Sequence, residues 1–216
     1  MLLEDNPMSS LVIMDFDGVI IDTEYVWYQI FVEWFKKNFD YTLTEEEFMM
    51  SIGADAHILF NYLREKKNIN VDLVSFRKET QSLFIEKSKN LPLIDGVENF
   101  IKQVKSDGWK LSLATSATKE KPLYHLKRLK LLDYFDYLVT ADLVENIKPE
   151  PDLFLKAIDL AGVDKSDAVI IEDSKNGLIA GIKAGIDVII CPNRLTKDDD
   201  FTGCLNIVDS LDKIEL

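Results

Sequence analysis

Five short apolar runs, each four or five residues long, interrupt a chain that otherwise reads as amphipathic helix, and this alternation restricts the fold more than any other feature. Leu11–Asp15, Lys110–Ala114, Tyr137–Thr140, Ala168–Ile171 and Asp187–Ile190 are nearly continuous in hydropathy. That is the pattern of strands buried on both faces of a parallel sheet. Helix-period stretches at Gly96–Ser106, Lys119–Leu131, Pro151–Ala161 and Asn176–Ala184 lie between them. Gly108, Gly162 and Gly185 each follow one of these stretches, where a helix calls for a left-handed residue at its end. Strand and helix alternating from residue 96 onward predict an α/β core with a parallel sheet.

One segment breaks the rhythm. From about Glu24 to about Asn90 there is no strand pattern, only helices over Tyr25–Asn38, Thr44–Met50, Asp55–Lys67 and Asp72–Lys89. Thr44 followed three residues later by Glu47 has capping-box spacing. Trp27, Phe31, Trp34 and Phe35 form an aromatic stripe that reads as the core of this segment, and Asp22 or Thr23 as the cap of its first helix. The expected organisation is therefore an α/β core made of residues 1–22 and 91–216, interrupted by a helical cap domain over 23–90. Such an insertion belongs over the C-terminal edge of the sheet, where open α/β sheets bind ligands.

Composition removes several classes of function. The 216 residues are 47% apolar and 29% charged, which supports a folded core and excludes a disordered or disulfide-dense chain. Against 38 acidic residues there are 25 basic ones, a net charge of −13 that would repel a phosphate backbone, so no nucleic-acid partner is expected. No apolar run approaches the roughly 18 residues of a membrane helix. The opening MLLEDNPMSS carries no basic residue and does not read as a secretory leader. Only Cys191 and Cys204 are present, in keeping with a reducing compartment. A cytoplasmic protein is expected, monomeric by default.

The chemistry-bearing residues all fall at the ends of predicted strands. Asp15-Phe16-Asp17-Gly18-Val19 follows the first run directly. Two carboxylates two residues apart can face one pocket if the chain turns between them, and Gly18 permits a sharp turn and close approach of a ligand. Taken alone, the same residues could form an ordinary turn. Thr115 and Ser116 end the second run, where a hydroxyl and exposed N–H groups can hold a phosphate oxygen; either could instead be a plain helix N-cap. Lys148 opens the Lys148-Pro149-Glu150-Pro151-Asp152 loop, whose prolines would fix its position. Glu172 and Asp173 close the fourth run, and buried strands seldom end in adjacent acids without a cation or donor to offset them. Together these residues make a coherent phosphate site. Asp15 and Asp173 offer hard oxygen ligands for Mg²⁺, and Lys148 balances charge. Asp15 can attack phosphorus to give an aspartyl-phosphate, while Asp17 trades protons with the leaving oxygen and the hydrolytic water.

In order and placement, DFDGV (15–19), ATS (114–116), the lysine of KPEPD (148–152) and the acidic pair of IEDSKNG (171–177) resemble the haloacid dehalogenase superfamily, in the phosphatase branch that includes β-phosphoglucomutase. DGVIIDTE (17–24) and AGIKAG (180–185) match that branch too. The resemblance implies a Rossmann-like sheet carrying a helical cap. It implies Asp15 as nucleophile and Mg²⁺ ligand, and Asp17 as general acid and base that also lends its carbonyl to the metal. Thr115, the Ser116 amide and Lys148 would hold the phosphoryl group, with Gly18 beside it. Asp173 would ligate Mg²⁺, and Glu172 would act on it directly or through water. The substrate would be a small phosphorylated metabolite. Dehalogenases of the superfamily lack the second aspartate, so Asp17 argues against that chemistry. Sugar-phosphate mutases carry a histidine where this chain has Trp27 and a cap arginine where SIGADAHIL (51–59) has none, so hydrolysis is favoured over isomerisation. A non-catalytic phosphoryl-accepting receiver is the rival from another class, and the large insertion and Asp17 both weigh against it. His57 and the Arg77–Lys78 pair read as exposed residues of the insertion and His125 as structural. Asp198–Asp200 read as a solvated loop and Cys191 as unreactive.

Overall fold

The computed structural model describes residues 10–51 and 57–215; the segment 52–56 and the His57 side chain lie outside the described residues, and with them most of the SIGADAHIL stretch, the His57 reading and nearly all of the MLLEDNPMSS opening. Two compact units divide the chain, one running up to Ile21 and resuming at Leu93, the other formed by Asp22–Pro92.

Among the described residues, the first unit is built on six parallel strands in the order β3-β2-β1-β4-β5-β6. They are β1 (Leu11–Met14), β2 (Lys110–Ala114), β3 (Tyr137–Val139), β4 (Ala168–Glu172), β5 (Asp187–Ile190) and β6 (Asn206–Ile207). All four residues of β1 and all five of β4 are buried, as their unbroken apolar text requires of central strands. From β1 the chain builds outward through β2 and β3 on one side, then restarts at β4 on the other. The order therefore reverses between β1 and β4, and the carboxyl ends at such a switch point form a ligand crevice. Met14 is in register with Leu113 of β2 and Ile171 of β4, which brings Asp15 level with Ala114 and Glu172.

The helices of this unit are α5 (Val97–Ser106), α6 (Glu120–Arg128), α7 (Asp152–Ala161) and α8 (Lys175–Ala184). Leu11 and Ile13 of β1 and Ile170 of β4 share one core cluster with Leu153, Phe154 and Ala157 of α7 and Leu178, Ala180 and Ala184 of α8. The small residues of AGIKAG explain how closely α8 can lie on the sheet: a Cβ at Gly181 would fall 2.3 Å from Val188 Cγ2. Gly108, Gly162 and Gly185 all take positive φ, as their places after helices predict. Helix α6 is shorter than the sequence pattern suggested, because Leu129 caps it and Lys130 turns left-handed at φ 58°. The edge strand β6 was not foreseen.

The second unit contains α1 (Thr23–Phe39), α2 (Glu45–Met49), α3 (His57–Lys67) and α4 (Leu73–Ser88). Asp22 caps α1, accepting from Tyr25 N at 3.1 Å, and Thr44 and Glu47 form the reciprocal capping box at α2. The aromatic stripe is its core. Phe31 meets Phe48 and Phe76 edge-on, Trp34 meets Phe76, and Trp27 stacks on Phe84 with centroids 4.3 Å apart. The Trp34 indole N–H is satisfied by Glu79 at 3.0 Å. Arg77 and Lys78 are exposed on α4.

Candidate active site at the switch point

The site is organised by one ammonium group. Lys148 arrives from the loop between β3 and α7, and its Nζ donates to Asp15 Oδ1 at 2.6 Å, Glu172 Oε1 at 2.7 Å and the Ala114 carbonyl at 2.9 Å. These acceptors stand level on three adjacent strands, so one side chain ties β2, β1 and β4 together at their carboxyl ends. An ammonium has three donors, and all three are used. The Phe154 ring lies 5.0 Å from Nζ and adds a π face. Burial opposes the charge on Lys148, yet the Asp15 and Glu172 carboxylates hold its pKa above the ordinary lysine value.

Burial pushes the Asp15 carboxyl up to about 7; Lys148 acts against this, while Glu172 and Asp17 reinforce it. Glu172 is fully buried. Besides Lys148, it accepts from Asp173 N at 2.9 Å, Ser174 N at 3.0 Å and Ser174 Oγ at 2.9 Å, all on Oε2. Ser174 in turn caps α8 by accepting from Gly177 N. Asp173 Oδ2 accepts from Asn193 Nδ2 at 2.6 Å. Gly18 lies tight against the same carboxylate: at φ 79°, its missing Cβ would fall 1.9 Å from Asp173 Oδ2, so glycine is needed here for both conformation and space.

Carboxylate oxygens of Asp15, Glu172 and Asp173 lie within 4.8 Å of one another, all buried. With all three carboxylates ionised, one ammonium leaves this cluster two charges short of neutrality, which is the charge of one divalent cation. Hard oxygen donors of this kind suit Mg²⁺, and the residues present fit such an ion.

The remaining candidates sit around this cluster. Thr115 is buried at the end of β2, and its Oγ1 accepts from Ala117 N at 3.1 Å; Ser116 beside it is half-buried. Helix α6 begins only at Glu120 with Lys119 as its cap residue, so neither Thr115 nor Ser116 serves as that helix's N-cap. Asp17 lies in the turn closed by Gly18 N donating to Ile21 O at 2.9 Å, and its side chain pairs with Lys121 of α6. Lys121 and Asn193 were not singled out from sequence. A lysine in a helix and an asparagine in a turn carry no local signal of partners 104 and 20 residues away. His125 is buried against Phe16, and burial, with Arg128 and Lys121 adding to it, pushes its pKa down to about 4. Burial also raises the Cys191 thiol, in line with an unreactive cysteine.

A strand-end carboxylate held by a buried lysine, beside a second acidic pair and a hydroxyl, on a parallel sheet at its switch point, defines a hydrolase class. The model of the haloacid dehalogenase-like hydrolase family matches residues 12–191, and the chain belongs to that family. It is 35% identical over 213 residues to a Bacillus subtilis protein named "Putative phosphatase YhcW", covering 97% of this chain and 95% of that one. It is 34% identical over 182 residues to a Thermotoga maritima "Phosphorylated carbohydrates phosphatase", with 82% of each covered. A Thermotoga maritima crystal structure described as a "putative beta-phosphoglucomutase" superposes with a TM-score of 0.77 at 29% identity, covering 94% of this chain and 95% of that one. Among the described residues no helix is long and apolar enough to cross a membrane.

Proposed function

We propose that the protein is a Mg²⁺-dependent phosphatase that hydrolyses a small phosphomonoester metabolite, a sugar phosphate or similar, through an aspartyl-phosphate, working as a cytoplasmic monomer. The observation that carries this reading is the Lys148 ammonium fixed between Asp15 and Glu172 in a buried cluster short of positive charge. The phosphatase names of the two relatives support it.

In this reading Asp15 attacks phosphorus with one carboxylate oxygen. The bond from phosphorus to the substrate's bridging oxygen breaks, and that oxygen takes a proton from Asp17. Asp17 then removes a proton from water, whose oxygen attacks the phosphorus and frees Asp15 and inorganic phosphate. Lys148 orients Asp15 and offsets the phosphate charge; the Thr115 hydroxyl and Ser116 N–H hold phosphoryl oxygens, with Gly18 giving close backbone approach. Asp15, the Asp17 carbonyl and Asp173 would hold Mg²⁺, which when bound withdraws charge from the phosphoryl oxygens. Glu172 sets Lys148 and Asp173 through the hydrogen bonds that both its oxygens accept, and it would act on the metal directly or through water. The helical segment is assigned as the cap that confers specificity, bounded at 23–90 within a core of 1–22 and 91–216.

Phosphate release from a panel of sugar, nucleotide and three-carbon phosphates, with Mg²⁺ and with EDTA, tests the reading. Mg²⁺-dependent release from one class is expected, and isomerised hexose phosphate without free phosphate would assign a mutase instead. The family resemblance aligns Trp27, whose ring stacks on Phe84, with the mutase histidine, which argues against that outcome. Asp15→Asn should fold and lose turnover; wild-type turnover from it would reject Asp15 as nucleophile.

A further inference from the structure

Lys121 is the second residue of α6, where a cation opposes the helix macrodipole and is preceded by another lysine at 119. Its Nζ nevertheless reaches across the fold to Asp17 Oδ1 at 2.5 Å, with each side chain 25% exposed. The pair is partly buried, so it is screened less than a surface ion pair, and it holds Lys121 and Asp17 in one fixed geometry.

The helix that carries it is aimed. Lys121, His125 and Arg128 lie at helical spacing along one face of α6. The buried His125 ring sits 6.0 Å from Phe16, and Arg128 Nη2 lies 3.1 Å from His125 Nδ1. One turn apart on α6, His125 and Lys121 thus meet two consecutive residues of the strand-end loop, Phe16 and Asp17. The first contact is a ring packed in the core and fixes the helix; the second places a cation on a carboxylate.

We propose that Lys121 is the positioning residue for Asp17, fixing the rotamer in which that carboxylate faces the bridging oxygen of the substrate. The inference rests on the reading of Asp17 as the acid–base group. Each aspartate of the DFDGV motif then has its own lysine, Lys148 for Asp15 and Lys121 for Asp17. Lys121 itself neither gives nor takes a proton.

The chemistry of the leaving group makes this testable. When the phosphorus–oxygen bond of an alkyl phosphate breaks, the departing alkoxide needs the Asp17 proton. A p-nitrophenolate departs without one. The kcat/KM value reports the steps up to departure of the leaving group, so an Asp17 out of position lowers it for the alkyl ester selectively. The experiment measures kcat/KM of the Mg²⁺-loaded protein for an alkyl phosphate and for p-nitrophenyl phosphate, in wild type, Lys121→Met, Lys121→Arg and Asp17→Asn. The alkyl-to-aryl ratio should fall by about tenfold or more in Lys121→Met, a part of the 10²- to 10⁴-fold that general acid catalysis supplies. Lys121→Arg should recover most of it, and Asp17→Asn should lower the ratio further. An unchanged ratio in both Lys121 variants, alongside a lowered one in Asp17→Asn, overturns the role of Lys121 and leaves Asp17 standing. A wild-type ratio in Asp17→Asn overturns the acid–base reading and the inference with it. A purely structural effect would lower both esters alike, and urea midpoints of the two Lys121 variants identify it independently.

Discussion

Gly177, in the first turn of α8, offers a test in which two physical effects predict opposite signs. Helix propensity alone says that Gly177→Ala stabilises the protein by about 0.8–1.0 kcal/mol. The geometry says otherwise. The new Cβ would lie 1.9 Å from Glu172 Cδ and 2.0 and 2.3 Å from its two carboxylate oxygens. The carboxylate or the helix must move, and Glu172 is held by Lys148 Nζ, two backbone N–H groups and the Ser174 hydroxyl. Loss of two of these charge-assisted bonds, at about 1.5–3 kcal/mol each, outweighs the propensity gain and leaves a net destabilisation of about 2–5 kcal/mol. Urea unfolding of the metal-free protein measures it. A Glu172→Ala background removes the colliding group, so there Gly177→Ala should turn neutral or stabilising. Equal cost in both backgrounds, or a Gly177→Ala protein as stable as wild type, would refute the wedge argument. With Glu172 displaced, Lys148 loses one of its three acceptors, and phosphatase turnover should fall in the same variant.

Two further outcomes follow from charge. The carboxylate cluster should bind Mg²⁺ only when folded, so a concentration 100-fold above Kd should add about 2.7 kcal/mol. That corresponds to a rise in Tm of about 5–10 °C for a chain of this size; Asp173→Asn should abolish the shift, and an unaltered shift in that variant would remove Asp173 from the site. His125 is 2% exposed and stays neutral in the folded protein until about pH 4, whereas in the unfolded chain the imidazole gains its second proton near 6.5. The unfolded state therefore binds more protons in that window, and stability is complete above pH 6.5 and lost as pH falls toward 4, by about 3 kcal/mol. Urea unfolding at pH 7.5 and 4.5 should show a smaller loss in His125→Gln than in wild type; the same loss in both proteins would reject the buried neutral imidazole.

How much of this was legible depended on whether the physical cause was local. Strands buried on both faces write continuous apolar text, and β1, β2, β3, β4 and β5 were found that way. Strand β6 is two exposed residues on the sheet edge, Asn206–Ile207, and leaves no pattern to read. The turn glycines and the Thr44 capping box were legible because their partners lie within a few residues. Lys148 could be picked out by its flanking prolines and its place after a strand. Nothing in the text around Lys121 or Asn193 marks them, since what distinguishes each is a carboxylate on another element.

The arrangement of the site nevertheless follows from topology plus one length. Parallel strands in register bring residues that follow a strand to one edge, and reversal of strand order at β1 puts the β1 and β4 ends side by side. Asp15, Ala114 and Glu172 then share one row, and a lysine stem is long enough to bring a single ammonium to all three acceptors from the loop beyond β3. The row fixes which carboxylate that lysine can hold: Asp15 is level with Ala114 and Glu172, while Asp17 stands two residues farther along, where the chain enters the turn at Gly18. A second cation must therefore come from a different element, and α6, pinned to Phe16 through His125, is the element that brings one. The two aspartates of one short motif thus have separate electrostatic surroundings, one buried and one partly exposed, which suits the proposed roles of Asp15 as nucleophile and Asp17 as proton carrier.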